Sequence, residues 1–379
     1  MIRIKVPRHL PKASPYTWIA VSVSATVFVA LILVNLSRAS GFFSSTEPEN
    51  GSVSGNASVI SDAAASGSKA VRFNAPAAPP AGGGDTSGCA TNVTGASPAC
   101  TETPPATAAS GKHWNVGFSE EFNGTDYDHN KLTPCFDWNY GDCTSSFNSG
   151  YEHYLPSQVT VGGGAAHLVA APLSPAYSSS ACFNSSCTYK SGLLSTARKN
   201  GNDPANSYLY SFTYGYVEAN LKVVNQQGFF AAWWMLPADP SYNYTYGNFR
   251  YEIDILEMLG HDPADMQMHY SWATDSNAYY SPNDTHKNGA CADLDYSQAF
   301  HRFGVDWEPT YVAFYIDGVK CGQHNATASA PVPNVPMQLI LDQMVSNNWQ
   351  RSVGKPLTNN TLTSDLQADY IRVYQQVAN

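Results

Sequence analysis

From His113 onward the apolar residues recur at every second position. Tyr216-Val-Glu-Ala-Asn-Leu-Lys-Val223 and Tyr311-Val-Ala-Phe-Tyr-Ile316 carry β-branched and aromatic side chains at that period, and Gly, Asn, Asp and Pro clusters separate such runs. A period of two is the pleat of a half-buried strand. No stretch of this region carries a long amphipathic helical pattern. The expected fold is therefore an all-β sandwich over residues 112–379, ending in the strand Ala368-Asp-Tyr-Ile-Arg-Val-Tyr374. A chain of 379 residues has ample length to bury its core.

The charge content narrows the partners. Charged residues make up 13% of the chain, against about 25% in ordinary soluble domains. Tyr, Gly, Ser, Thr and Asn take their place. Residues 1–40 hold five bases (Arg3, Lys5, Arg8, Lys12, Arg38) and no acid, so residues 41–379 hold fifteen bases against thirty acids. Phosphate binding needs a Lys/Arg-rich surface, which argues against nucleic acid as a partner.

The N-terminus reads as a membrane or export segment. Residues 1–15 are a short basic stretch, and 16–37 include the apolar run Trp18–Leu36. That run is long enough to cross about 30 Å of hydrocarbon as a helix. The bases before it place the N-terminus in the cytoplasm and the remainder outside. A cleaved signal peptide is the competing reading, with Ser37-Arg38-Ala39 as the cleavage site. Both readings make the rest extracellular. Residues 38–111 are rich in Ala, Ser, Gly, Thr and Pro and read as a flexible linker. Within them, Glu47-Pro-Glu49-Asn-Gly-Ser through Ala70-Val-Arg-Phe73 resembles the opening of bacterial carbohydrate-binding β-sandwich modules. The match is too short for a whole module and is read as a spacer with a vestigial strand.

Eight cysteines in an exported chain imply disulfides. Pairing neighbours is the simplest guess: 135–143, 182–187, 291–321, and 89–100 within the linker. Sequence does not settle that connectivity. Asn123, Asn184, Asn243, Asn283 and Asn325 stand in Asn-x-Ser/Thr sequons, which permit glycosylation without proving it.

The most informative segment is Arg250-Tyr-Glu252-Ile-Asp254-Ile-Leu-Glu257-Met-Leu-Gly260. In a strand Glu252 and Asp254 share a face, but strict alternation would give the third place to Leu256. One extra residue, a β-bulge, returns Glu257 to the face of the other two. Three carboxylates on one face are electrostatically costly in a chain so poor in charge. The arrangement suits glycosidic bond cleavage, which needs an ionised carboxylate and a protonated one about 5–5.5 Å apart in retaining enzymes. Repulsion between neighbouring carboxylates supplies the protonated one. A calcium-binding acidic patch and a solvated edge strand are the other readings of the same pattern.

This segment resembles the signature of glycoside hydrolase family 16, in the bulged form of its laminarinase-like branch. Phe118-Ser-Glu120-Glu121-Phe122 is similar to the family's opening strand. Asn148 with Glu152-His-Tyr154 is similar to a cleft segment, and Gly228-Phe-Phe-Ala-Ala-Trp233-Trp234 precedes the acidic strand as the family expects. His301–Trp307 and Tyr311–Gly318 also match in order. The resemblance implies a jelly-roll β-sandwich with a concave polysaccharide-binding cleft. It implies Glu252 as nucleophile, Glu257 as general acid/base and Asp254 as the assisting carboxylate. His269, Trp234, Trp233, Trp272, Asn148 and Glu152 become substrate-binding candidates, although a histidine or tryptophan in a strand is equally at home in a core. No cofactor is expected for catalysis. A structural calcium is implied on the convex side, with Asp369 as its side-chain ligand.

Several positions depart from the family pattern. Phe230-Ala-Ala replaces a usual Trp-Pro-Ala, Asn220 stands for a usual Arg, and Tyr251 for a usual Gly. Asp342-Gln-Met-Val-Ser-Asn347-Asn348 stands where a Gly-rich, Asn-containing stretch is usual. The expected activity is an extracellular retaining endo-β-glucanase acting on β-1,3 or mixed β-1,3/1,4 linkages, working as a monomer. A galactan hydrolase of the agar or carrageenan type, a glucan transglycosylase and a non-catalytic glucan-binding protein remain the alternatives.

Overall fold

The computed structural model describes residues 103–139, 143–201, 205–239, 251–264, 266–271, 279–280 and 288–379, with a separate strand pair at 57–61 and 69–73. The chain divides into two compact units, Met1–Ala81 and Gly82–Asn379. The basic N-terminus and the apolar run 16–37 lie outside the described residues, as do Cys89, Cys100 and the sequons at Asn243 and Asn283. No helix among the described residues is long and apolar enough to cross a membrane.

In chain order the strands are β1 (Ala57–Ser61), β2 (Lys69–Phe73), β3 (Lys112–Glu120), β4 (Glu152–Tyr154), β5 (Val159–Gly162), β6 (Ala165–Ser178), β7 (Ser186–Ser191), β8 (Leu193–Ser195) and β9 (Gly215–Lys222). They continue as β10 (Phe229–Pro237), β11 (Glu252–Leu259), β12 (Met266–Ser271), β13 (Tyr279–Tyr280), β14 (His301–Glu308), β15 (Tyr311–Ile316), β16 (Val319–Asn325), β17 (Met337–Val345) and β18 (Ser364–Ala378). In the first unit, β1 and β2 pair antiparallel, Val59 opposite Val71. This strand pair falls in the stretch that resembles a binding-module opening.

Two sheets build the second unit. One has six strands in the order β13-β12-β11-β10-β17-β8, and the other runs β16-β15-β14-β9-β18-β6-β7-β4, with β3 on β18 and β5 on β6. The core lies between them. Phe229, Ala231, Trp233 and Met235 of β10 enter it, as do Val217 and Ala219 of β9 and Phe303, Val305 and Trp307 of β14. Each set has the period of two that the sequence carries, so burial selects one face of every strand. Fully burying one such side chain stabilises by roughly 1.5–3 kcal/mol.

The segment Phe118-Ser-Glu120-Glu121 is anchored across the sheet. Arg372 of β18 donates from Nε and Nη2 to the two Glu121 carboxylate oxygens, each at 2.8 Å. Its guanidinium also lies 3.7 Å from the Tyr370 ring centroid. A planar fork on a carboxylate fixes both position and orientation.

Residues 103–111 correct the expected linker boundary. Pro104 and Ala106 are buried. The Trp114 Nε1–H donates to the Ala106 carbonyl at 2.7 Å, and the Ala109 N–H donates to Gln376 Oε1 at 2.7 Å. Ala106 packs with Tyr216, Ala313, Tyr315 and Tyr374 on the outer face of the larger sheet. A Pro-rich stretch needs few backbone partners, so it lies over an aromatic face at little cost in hydrogen bonds.

Among the described residues three disulfides join neighbouring cysteines as expected: Cys135–Cys143, Cys182–Cys187 and Cys291–Cys321.

Candidate active site

β11 is an interior strand between β10 and β12. Against β10, Asp254 pairs with Trp234, Leu256 with Trp233 and Glu257 with Ala232, so Ile255 is the extra residue of a bulge. Ile253, Ile255, Leu256 and Met258 all belong to the core. Glu252, Asp254 and Glu257 therefore occupy the opposite face, which looks away from the core. The bulge expected from the spacing is present, and apolar burial of both Ile255 and Leu256 drives it.

Burial separates the three carboxylates. Glu252 and Glu257 are half-buried, whereas Asp254 is 3% exposed. Burial pushes the Asp254 carboxyl well above the usual range, and the charge of Asp342 pushes it further. Desolvation favours the neutral acid, so Asp254 is suited to hold a proton and donate it in a hydrogen bond.

The same face of β10 and β17 forms the floor of the site. Phe230, Ala232, Trp234 and Leu236 cluster with Ile340, Met344, Tyr154, Leu193 and Phe136, and Trp138, Phe147 and Trp349 cover them in part. The Trp234 Nε1–H donates to Asp342 Oδ1 at 2.8 Å, and the Tyr154 hydroxyl donates to Asp342 Oδ2 at 2.7 Å. Phe147 stacks on Trp234 with ring centroids 6.2 Å apart and 15° between the planes. Trp138 stacks on Phe136 at 4.3 Å and 9°. Trp234 itself is buried, at 4% exposure, so the rings left to meet the CH face of a pyranose are the half-buried Trp138, Phe147 and Trp349. Asp342, Phe147 and Trp138 were not among the residues expected here. Asp342 was visible in the sequence only as a departure from a family pattern.

Two expectations need correction. Trp233 is fully buried in the core, because alternation turns it away from the face that carries Trp234. Glu152 is also fully buried, its Oε2 accepting the Val345 N–H at 2.7 Å, so it braces β4 against β17 and does not face the cleft. Burial lifts its carboxyl well above the usual range. Asp369 accepts from Asn220 Nδ2 at 2.8 Å. Among the described residues no three His, Cys, Asp or Glu side chains converge on a point that would hold a metal.

Asn148 is exposed in the turn before β4, with a φ of 55°, and its carbonyl accepts the Asn348 N–H at 3.3 Å. The backbone of His269 pairs with that of Asp254 in β12. The His269 side chain and all of Trp272 lie outside the described residues.

Comparison with known proteins agrees with this architecture. The family description Glycosyl hydrolases family 16 matches residues 175–370. Glucan endo-1,3-beta-glucosidase A1 of Niallia circulans is 26% identical over 73% of this chain and 39% of its own length. Endo-1,3-1,4-beta-glycanase ExsH of Rhizobium meliloti is 25% identical over 57% of this chain and 39% of its own length. The chain thus spans about two fifths of these curated relatives. Among solved structures, the endo-beta-1,3-glucanase from Pyrococcus furiosus superimposes with a TM-score of 0.54 at 21% identity, over 73% of this chain and all of that one. The laminarinase from Rhodothermus marinus gives 0.54 at 20% identity, over 70% of this chain and 99% of that one. The shared fold is the jelly-roll sandwich.

Proposed function

The chain belongs to glycosyl hydrolase family 16, and from that membership we propose that it is a retaining endo-β-glucanase acting on β-1,3 or mixed β-1,3/1,4 glucan. The observation that carries this reading is the bulged strand β11, which turns Glu252, Asp254 and Glu257 to one face beside an aromatic floor. The names of the curated relatives support β-glucan as the substrate class.

In this mechanism the Glu252 carboxylate attacks the anomeric carbon while Glu257 protonates the departing glycosidic oxygen. A glycosyl ester forms on Glu252 and the first product leaves. Glu257, now ionised, takes a proton from water as the water attacks the same carbon, and Glu252 departs as a carboxylate. Two inversions give net retention. Burial and the charge of Asp342 favour the protonated form of Asp254, which suits it to donate a hydrogen bond to Glu252, keeping the nucleophile in place and easing its departure in the second step. Both steps run on carboxylates and water, so no cofactor is called for. The partner is the polysaccharide, and the low basic content gives nucleic acid no footing.

An extracellular location is part of the proposal. Three disulfides and a domain poor in charge support it, since such bonds persist in oxidising compartments. The apolar run at 16–37 would hold the chain at the membrane or be removed on export. We place the enzyme as a monomer on the outside of the cell.

The test is incubation of the exported portion with laminarin, lichenan, curdlan, agarose and carrageenan, with products resolved by size and anomeric form. Laminarin or lichenan should yield short β-anomeric products, and Glu252→Gln should abolish them. Absence of products from every β-glucan overturns the reading, and cleavage of agarose or carrageenan alone moves the substrate to a galactan. Products longer than the substrate would mark a transglycosylase.

A further inference from the structure

Trp138 lies over the aromatic floor of the site, between two side chains that are tied down. Asp137 is 2% exposed and Asn139 is 5% exposed, whereas Trp138 between them is half-buried. The Asp137 carboxylate accepts the Arg198 Nε–H at 2.9 Å and the Tyr208 hydroxyl at 2.7 Å. Asn139 accepts the Phe136 N–H on Oδ1 at 2.7 Å and donates from Nδ2 to the Thr144 carbonyl at 2.6 Å. The Ser195 hydroxyl of β8 donates to the Cys135 carbonyl at 2.5 Å, and the Cys135–Cys143 bridge adds a covalent tie. Gly201, with a φ of 72°, brings its backbone against the Asn139 carbonyl, where a Cβ would come within 2.1 Å.

These restraints fix the direction of one ring. Phe136 backs the indole in a parallel stack, and Phe147 lies against it at 5.2 Å and 39°. Trp234 is 6.4 Å away by ring centroids, and its backbone pairs with Asp254. Phe147, by contrast, leads into a turn in which Asn148 and Ser149 are exposed, and Trp349 follows the exposed Asn348 and packs edge-on against Phe230. Of the three half-buried rings, Trp138 alone has buried, hydrogen-bonded polar neighbours on both sides. Apolar packing suffices to hold a core ring. A half-exposed ring fixed by buried polar groups is a preorganised contact surface.

We propose that Trp138 is the sugar-stacking residue of a subsite next to the reaction centre, and that the turn around it fixes the ring before substrate arrives. The proposal rests on the glucanase reading above. The indole offers a flat apolar face to the CH face of a glucosyl unit. That unit is a neighbour of the one attacked, because Glu252 and Glu257 stand on β11 whereas Trp138 is reached across β10 through Trp234. A contact away from the reacting carbon is alike in the bound and transition states, so Trp138 acts on KM and leaves kcat.

Initial rates on laminari-oligosaccharides of increasing length test this. In the wild type, KM should drop at the length that first reaches Trp138. In Trp138→Ala that drop should be missing: KM should rise roughly three- to tenfold for chains of that length or longer, with kcat unchanged, and match the wild type for shorter ones. Trp138→Phe should recover most of the drop. A loss in Trp138→Ala that is equal at every length, or that falls on kcat, overturns the proposal and assigns the ring to core packing. Should Trp138→Ala fail to fold, Trp138→Leu, which fills much of the same space without a flat face, takes its place.

Cys135→Ser/Cys143→Ser keeps the ring and removes one restraint. Its KM should rise for the same chain lengths, by less than in Trp138→Ala and with kcat unchanged. An unchanged KM in the folded double variant overturns the role given to the turn. If the wild type cleaves no glucan, the glucanase reading fails by itself, and calorimetric titration with laminari- and agaro-oligosaccharides decides the role of the ring. Weaker binding by Trp138→Ala than by the wild type supports a sugar-stacking Trp138; equal binding, or none by either, overturns it.

Discussion

Ile255 and Leu256 are neighbours in β11, and both side chains are buried in the core, at 1% and 0% exposure. Two successive inward residues are possible only because β11 carries one residue more than β10 between the Trp234 and Trp233 pairings. The pairing also states what happens when the extra residue is removed. Deleting Leu256 would set Ile255 opposite Trp233 and leave Glu257 opposite Ala232, still on the face of Glu252 and Asp254. We expect this variant to fold and to retain glucan cleavage while losing about 2–5 kcal/mol of stability, the cost of removing a large core side chain. Urea unfolding and initial rates on laminarin check both halves. A folded but inactive variant would mean that the bulge itself, beyond facing, sets the position of Glu257.

Asp254 should tolerate an amide better than a truncation. Its carboxyl is buried and raised well above the usual range, which favours the protonated, hydrogen-bond-donating form. Asparagine keeps a donor of the same size and alanine keeps none. Asp254→Asn should lower kcat about 10-fold and Asp254→Ala about 100-fold or more, in line with the loss of one positioned hydrogen bond in a transition state. Equal losses in the two variants would show that Asp254 acts through its charge.

These relations differ in how far the sequence revealed them. The bulge was legible because period-two alternation and three carboxylates cannot both hold over Glu252–Glu257 without an extra residue. The choice between Trp233 and Trp234 was not. Adjacent residues on a strand face opposite ways, and only the register against β11 and β17 says which ring enters the core. Glu152 looked like a cleft residue because its neighbours in sequence, Asn148 and Tyr154, belong to a motif. Its burial depends on Val345, 193 residues away. Asp342 was hidden for the same reason, with hydrogen-bonding partners 188 and 108 residues distant. Local patterns reveal faces, whereas polar pairs that close across sheets need the fold.

Stability should fall as pH rises from acid toward neutrality. Burial raises Glu152 and Asp254 well above the usual range, lifts Asp342 to about 6 and lifts Asp306 to about 7. Between the unfolded and folded values the native state binds more protons than the unfolded chain, so unfolding free energy decreases with pH over that window. His167, raised by its hydrogen bond to Asp365 against the opposing effect of burial, acts in the same direction. Glu121 acts oppositely: the Arg372 hydrogen bonds lower it despite burial, and its contribution is lost in stronger acid, as pH falls through its folded value. Melting temperature should therefore peak on the acidic side of neutrality. The measurement is thermal unfolding across pH at constant ionic strength, and a maximum above pH 8 would contradict the buried-acid account. Asp306→Asn should flatten the fall between about pH 4 and about pH 7 without touching the cleft.

The three disulfides should contribute unequally. In the chain-entropy account a cross-link stabilises by shrinking the unfolded ensemble, more for a longer loop. Cys291–Cys321 closes a separation of 30 residues and Cys182–Cys187 one of 5. These separations correspond to about 3.5 and about 2 kcal/mol at room temperature. The longer bridge also joins the segment before β14 to β16, where the Ala290 N–H donates to the Cys321 carbonyl at 2.8 Å. Replacing both cysteines of each pair by alanine and comparing urea midpoints tests the order. Cys291→Ala/Cys321→Ala should be the less stable protein. The reverse order would place the main effect of these bridges in folded-state packing around the fully buried Cys187.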